Sequence, residues 1–291
     1  MNATIENDRF TASVSSLGAE LKSLKDKALG RECLWQADPA WWKGTAPVLF
    51  PIVGGLKGGK YRFGGAEYEL PQHGFARTSE FTMVANSPDA VEFELRSGPE
   101  TRAKYPFDFR LRVGFALERN GIAVRYAVTN EGIGPMRFSI GSHPAINVPF
   151  DGGKYEIHYI VFEREERPER YFFKDGLVVA GKTADVFENS KIISLTRNLF
   201  DDGPVILKGI QSSSFAITNG KTGKSVIVAA DCVPPYMGIW SKPNGAPFVC
   251  IEPWHGLPDS TDASGELTEK EGILALEPRA EFTTGYRIEI I

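Results

Sequence analysis

Histidine is scarce in this 291-residue chain, with four in all, and cysteine scarcer, with three. Cys33, Cys232 and Cys250 are widely separated and form no CxxC pair, which excludes a disulfide framework and a zinc knuckle and leaves small buried hydrophobes as their reading. Cys250 lies between Val249 and Ile251, with nothing nearby to lower its pKa, so it makes a poor nucleophile. Positive charge is not in excess either. A formal net charge of −4 argues against nucleic acid or an anionic membrane surface as the main partner. No run approaches the roughly 20 apolar residues that span a bilayer, and the opening MNATIENDRF lacks the basic and apolar regions of a signal peptide. A cytoplasmic protein with no membrane partner is expected. Helical periodicity is nearly absent, its best candidate being one or two turns near GPETRAKYPF, stopped by Pro106. Fixed-period repeats and low-complexity linkers are missing, which excludes propellers and solenoids.

What the chain does have is alternation. At 42% apolar and 24% charged residues it can bury a large core. Phe109, Leu111, Val113, Phe115 and Leu117 alternate with polar or small residues up to Asn120-Gly121, and Ile122, Val124, Tyr126 and Val128 resume the pattern, which predicts a hairpin on a two-residue type I′ turn. KYRFGGAEYEL repeats the idea around Gly64-Gly65, and TMVANSPDAVEFELRS around Ser-Pro-Asp. SFAITNGKTGKSVIVAA and the C-terminal EFTTGYRIEII also read as strands. The fold class expected is all-β: one large antiparallel sandwich over residues 1–291 with few short helices. The charged stretch EREERPERYFFKDGLVVAGKT reads as a solvated connection or peripheral hairpin.

Three polar positions stand out against this background. QHGFAR sets His73, followed by Gly74 and Arg77, in a turn between hairpin-like segments. RFSIGSHPAINVPF places Arg137, Ser139, Gly141 and His143 on one strand face and Phe138 and Ile140 on the other. Pro144 biases His143 toward extended geometry. A histidine of this kind serves either as a structural hydrogen-bonder or as a functional group. In APFVCIEPWHG, Phe248, Cys250 and Glu252 share a face and Pro253 closes the strand. A carboxylate on such a strand is either a group whose pKa burial raises toward neutral, ready for proton transfer, or the buried partner of an arginine. Glu252 and His255 spell ExxH, but Pro253 and the strand context argue against a helical metal pair. The tryptophans, Trp35, Trp41, Trp42, Trp240 and Trp254, suit either a large core or the C–H faces of sugars. If extended, Trp41 and Trp42 point to opposite faces.

Five ordered stretches resemble the aldose 1-epimerase (mutarotase) family, especially its prokaryotic subgroup of uncertain sugar substrate: LGAELKSL at 17–24, WQADPAWWKGTAPVLFPIVG at 35–54, LPQHGFAR at 70–77, GSHPAINVPF at 141–150 and YMGIWSKPNGAPFVCIEPWHGLPD at 236–259. The resemblance implies the family's β-supersandwich and interconversion of the α and β anomers of a free aldose, with a small sugar as partner, no metal or organic cofactor, and a monomer or homodimer. Glu252 matches the family's base, which takes the proton from the C1 hydroxyl, and His143 its acid, which protonates the ring oxygen. His73 matches a second histidine that binds the sugar. Arg77, Trp254 and Asp202 are the further binding candidates, with Asp201 as the rival of Asp202. Subgroup members commonly read PIVGRL where this chain reads PIVGGL. Gly55 therefore stands where a sugar-contacting arginine is expected, and Arg77 or Lys57 is the candidate replacement. A hexose-6-phosphate 1-epimerase using Arg77 with Lys57 or Lys60, a non-catalytic sugar-binding module, and a glycoside hydrolase using Glu252 with Asp259 are the alternatives.

Overall fold

Two large antiparallel sheets face one another, and the alternation read from the sequence shows why. In the computed structural model, which describes residues 2–185 and 190–291, one sheet has nine strands. Its order is Ser190–Ser194, His158–Glu166, Ser214–Asn219, Ser225–Ala230, Glu281–Ile290, Gly121–Asn130, Phe109–Glu118, Ala90–Arg96 and Thr82–Asn86. The other runs Leu177–Asp185, Glu169–Lys174, Val205–Lys208, Tyr236–Trp240, Phe248–His255, Ile140–Ser142 and Val48–Leu49, with Ala145–Asn147 also paired to Phe248–His255. Phe109, Leu111, Val113 and Val128 of the first sheet and Val205, Leu207, Ile239, Val249 and Ile251 of the second belong to one buried cluster between them. A four-stranded sheet, from Asn2–Glu6 to Arg31–Glu32, adds Ile5, Phe10 and Leu24 to the same core. The single α-helical turn among the described residues is Pro99–Arg102, within GPETRAKYPF. No helix among them is long and apolar enough to cross a membrane.

Most turn predictions agree with the register. Phe63 pairs with Ala66 across Gly64-Gly65, both at positive φ (59° and 80°), and Asn86 pairs with Val91 across the Ser-Pro-Asp turn. The Asn120-Gly121 expectation is one residue out. Glu118 pairs with Gly121, so Arg119-Asn120 is the turn. Leu117 then stands opposite Ile122 on the core face, which a turn at Asn120-Gly121 would prevent. Gly121 is required for another reason: a Cβ there would lie 1.7 Å from the Ile288 carbonyl oxygen of the adjacent strand.

The charged stretch from Glu163 to Thr183 takes the peripheral-hairpin form rather than that of a solvated connection. It ends one strand of the nine-stranded sheet, crosses at Arg167-Pro168 and becomes the edge hairpin of the other sheet. Glu166 is fully buried, accepting the Ser212 N–H at 2.7 Å and the Gln211 N–H at 2.9 Å. Tyr171 and Val178 join a second apolar cluster on the outer face of the eight-stranded sheet.

Candidate active site

The strand Phe248–His255 carries two jobs on its two faces. Val249 and Ile251 enter the core between the sheets, whereas Phe248 and Cys250 pack outward against Trp35, Ala145 and Ala246. Glu252 and Trp254 continue that outward face and line a cleft of about 290 Å³ with His73, Arg77 and His143. The space for Trp254 is made by two neighbours in register. Gly141 pairs with Trp254 and Gly238 with Glu252; a Cβ on Gly141 would meet the indole Cδ1 at 2.6 Å, and one on Gly238 its Cζ2 at 2.5 Å. The indole thus lies close against the sheet beside the carboxylate.

Glu252 is 1% exposed. No lysine or arginine among the described residues pairs with it, which removes the buried ion-pair reading. Burial pushes its pKa well above the usual carboxylate range, the Trp254 indole opposing in part. His143 Nε2 lies 3.3 Å from Oε2, but the two are not aligned as a hydrogen bond, and Oε2 and His143 Nδ1 are both buried without a hydrogen-bond partner. His143 follows the strand Ile140–Ser142. Its ring stacks on Trp42 at 4.8 Å and 24° and meets Trp240 and His73 edge-on at 5.7 and 5.8 Å. Desolvation pushes its pKa down to about 3, with Arg77 adding to the fall. Burial therefore favours an uncharged pair, carboxyl and imidazole, sharing one proton across a short gap.

His73 is held by Gly54. Its N–H donates to the Gly54 carbonyl at 2.8 Å, and the Gly54 N–H donates to His73 Nδ1 at 3.1 Å. An accepting Nδ1 leaves the proton on Nε2. Desolvation first, then His143 and Arg77, keeps the ring well below its usual pKa, so it is a neutral donor. Arg77 sits in the short turn Ala76–Thr78, half-buried, with its pKa lowered by desolvation against the influence of Glu20.

The tryptophans depart from expectation. Trp41 and Trp42 are not extended: both backbone N–H groups donate to the Asp38 carbonyl at 3.0 Å in one tight turn. Both indoles consequently reach the cleft, with Trp240 and Trp254, while Trp35 is core. Phe173 from the edge hairpin and Lys242 after Trp240 also line it. Sequence reasoning missed both, although the WSKP spacing, two residues beyond Trp240 on an extended run, was a signal for Lys242.

Asp202 is not brought to the lining. It lies exposed with Asp201 in the turn after the buried Phe200, and the stretch reaches the cleft through Pro204 and Ile206 instead. Lys57 and Lys60 point elsewhere: Lys57 Nζ donates to the Ala263 carbonyl, and Lys60 pairs with Glu67 at 2.8 Å. Gly55 lies against the edge hairpin, where a Cβ would stand 3.1 Å from the Gly176 carbonyl oxygen. Asp259 is buried and bound by Lys270 Nζ at 2.7 Å and the Lys57 N–H at 3.0 Å. That occupation takes up Asp259, the carboxylate a glycoside hydrolase would need beside Glu252. His255 points to the other face of its strand and contacts Thr284 Oγ1 at 3.0 Å, so ExxH is split across the sheet.

Comparison with known proteins places these features in context. The aldose 1-epimerase family model matches residues 1–275. The chromosomal LacX protein of Lactococcus lactis subsp. lactis is 34% identical over 303 aligned residues, covering 100% of both chains. The crystal structure of a galactose mutarotase related enzyme from Lactobacillus acidophilus superposes with a TM-score of 0.95 at 34% identity, covering 100% of this chain and 97% of that one. A galactose mutarotase-like protein from Lactobacillus casei gives 0.92 at 32% identity, with 100% of both chains covered.

Proposed function

Given that the chain belongs to the aldose 1-epimerase family, we propose that it interconverts the α and β anomers of a free aldose, with Glu252 and His143 passing the protons. The observation that carries this reading is the 3.3 Å approach of His143 Nε2 to Glu252 Oε2 at the floor of an aromatic-walled cleft. At about 290 Å³ the cleft falls just below the range for pockets that take drug-sized ligands, about 300–1,000 Å³, which suits a monosaccharide.

Anomerisation needs one proton removed from the C1 hydroxyl and one delivered to the ring oxygen. Ring opening, rotation about C1–C2 and reclosure then return both. Glu252 as carboxylate takes the first and His143 as imidazolium gives the second, after which the pair is carboxyl and imidazole, the form that burial favours. Hydrogen bonds from sugar hydroxyls to the carboxylate favour the charged form before opening. The environment thus assists the opening step, and substrate hydrogen bonding readies the pair for it. Trp41, Trp240 and Trp254 offer apolar faces to the sugar C–H groups.

The test is anomer exchange followed by NMR or polarimetry on a panel of aldoses. Faster equilibration that Glu252→Gln abolishes is expected. Sugar binding by calorimetry with no exchange at all would instead make the chain a binding module. A second reading is favoured by Arg77 and Lys242, cations that line the cleft without a hydrogen bond or ion pair to a described carboxylate: the sugar carries a phosphate. Preference for glucose 6-phosphate over glucose, lost in Arg77→Ala, supports it, and indifference to phosphate removes it.

A further inference from the structure

The acid–base chemistry leaves Cys250 unused, although this residue lies two positions before Glu252 on the same strand and the same face. Its Sγ, a ring nitrogen of His143 and a carboxylate oxygen of Glu252 all lie within 4.8 Å of one another. The three residues are 0%, 8% and 1% exposed. Glu252 Oε2, 3.3 Å from His143 Nε2, is buried without a hydrogen-bond partner, a condition that costs free energy until something fills it.

We propose that Cys250, His143 and Glu252 form a binding site for a thiophilic divalent cation such as Zn²⁺, which shuts the cleft to sugar. One sulfur, one imidazole nitrogen and one carboxylate oxygen match zinc rather than calcium or magnesium, which prefer oxygen alone. Three protein ligands leave a fourth tetrahedral position for water on the cleft side. Bonds of about 2.0–2.3 Å put the ligand atoms of a tetrahedral zinc ion roughly 3.3–3.8 Å apart. Side-chain rotations that contract the set by about 1 Å therefore close the coordination sphere. Ligation takes Cys250 as thiolate, its proton passing to solvent, and Glu252 as carboxylate. Two negative ligands cancel the two positive charges of the ion, and a cleft floor too dry for an isolated charge holds a neutral assembly. The bound ion occupies the carboxylate and the imidazole together, so sugar exchange and metal occupancy exclude each other. No oxidation or reduction is involved.

The inference uses the residues of the proposed acid–base pair but not their reaction, and its readout is independent of activity. The full chain carrying Cys232→Ala, which removes the exposed rival thiol, is titrated with Co²⁺ as a spectroscopic stand-in and then with Zn²⁺ as competitor. One equivalent of Co²⁺ is expected to give a thiolate-to-cobalt charge-transfer band in the near ultraviolet that Zn²⁺ displaces. Cys250→Ser abolishes the band, with Cys250→Ala and a near-ultraviolet circular dichroism spectrum guarding against misfolding. Glu252→Gln weakens binding at least about tenfold, the loss that even an outer-shell partner causes. No band in the full chain, a band that survives loss of the Cys250 thiol, or affinity indifferent to Glu252→Gln would each overturn the proposal. Metal binding without anomer exchange, or exchange without metal binding, separates its fate from that of the enzymatic reading.

Discussion

His73 and Gly54 exchange two hydrogen bonds, the histidine N–H donating to the glycine carbonyl and the glycine N–H donating to Nδ1. A ring held by its own backbone loop in this way keeps one tautomer, with the Nε2 proton available to the cleft. Imidazole ¹⁵N shifts are expected to report the Nε2–H tautomer with no protonation step as pH falls through 6.5, because desolvation holds the pKa well below that value. His73 has φ +66°, a conformation that asparagine tolerates. His73→Asn is therefore expected to fold and to raise KM by about three- to tenfold, the worth of one net hydrogen bond of about 0.5–1.5 kcal/mol. An unchanged KM would remove His73 from sugar binding.

Glu252 sets function against stability. Once pH passes about 4.3, the unfolded chain releases this proton while the folded chain keeps it. Native stability therefore falls as pH rises, at about 1.4 kcal/mol per pH unit, until the raised folded-state pKa is reached. Glu252→Gln lacks this penalty. Thermal melts from pH 4 to 7 are expected to show the variant gaining on the parent as pH climbs, while anomer exchange drops by about 10²–10⁴-fold. Parallel melting curves across that range would contradict the raised pKa.

Trp42 acts on His143 through a stack worth about 0.5–1.5 kcal/mol. Its own position is fixed by the Asp38 turn and by the Trp35 indole N–H, which donates to the Trp42 carbonyl at 2.8 Å. Trp42→Ala is expected to lower kcat/KM by roughly three- to tenfold as the imidazole loses its support, and Trp42→Phe to restore most of it. Equal rates in all three proteins would leave the stack without a positioning role.

Lys270 holds the loop that shapes one rim. Its Nζ bonds Asp259 and the Leu257 carbonyl, each at 2.7 Å, with both side chains buried. Lys270→Met strands the Asp259 carboxylate and is expected to cost about 3–5 kcal/mol, read by urea denaturation. Pro258, between the two bonded residues, lines the cleft, so a rise in KM is expected alongside.

The strands and the faces of the site strand were legible because period-two alternation is a local property. Phe248, Cys250 and Glu252 sort from Val249 and Ile251 without reference to the rest of the chain. The five family-like stretches brought His73, His143, Glu252, Arg77 and Trp254 into view as a group, and all five line one cleft. What sequence did not disclose depends on distant partners. Phe173 reaches the cleft because an edge hairpin pairs with Val205–Lys208, and Trp41 with Trp42 because a turn replaces an extended run. Asp202 stays outside because Phe200 anchors the preceding segment in the core. Gly121 looked like a turn residue because its close approach to Ile288 is invisible until the sheet forms.

The strand Phe248–His255 binds the fate of the site to that of the fold. A slip of one residue in its pairing would bury Glu252 in the main core and expel Val249 and Ile251, so the same error that silences the chemistry also forfeits the packing. Preparations of this protein freed of divalent cations should therefore contain few molecules that are intact but inert. Specific activity becomes a direct gauge of the native fraction, and damage that lowers one without the other points to the loops around the cleft.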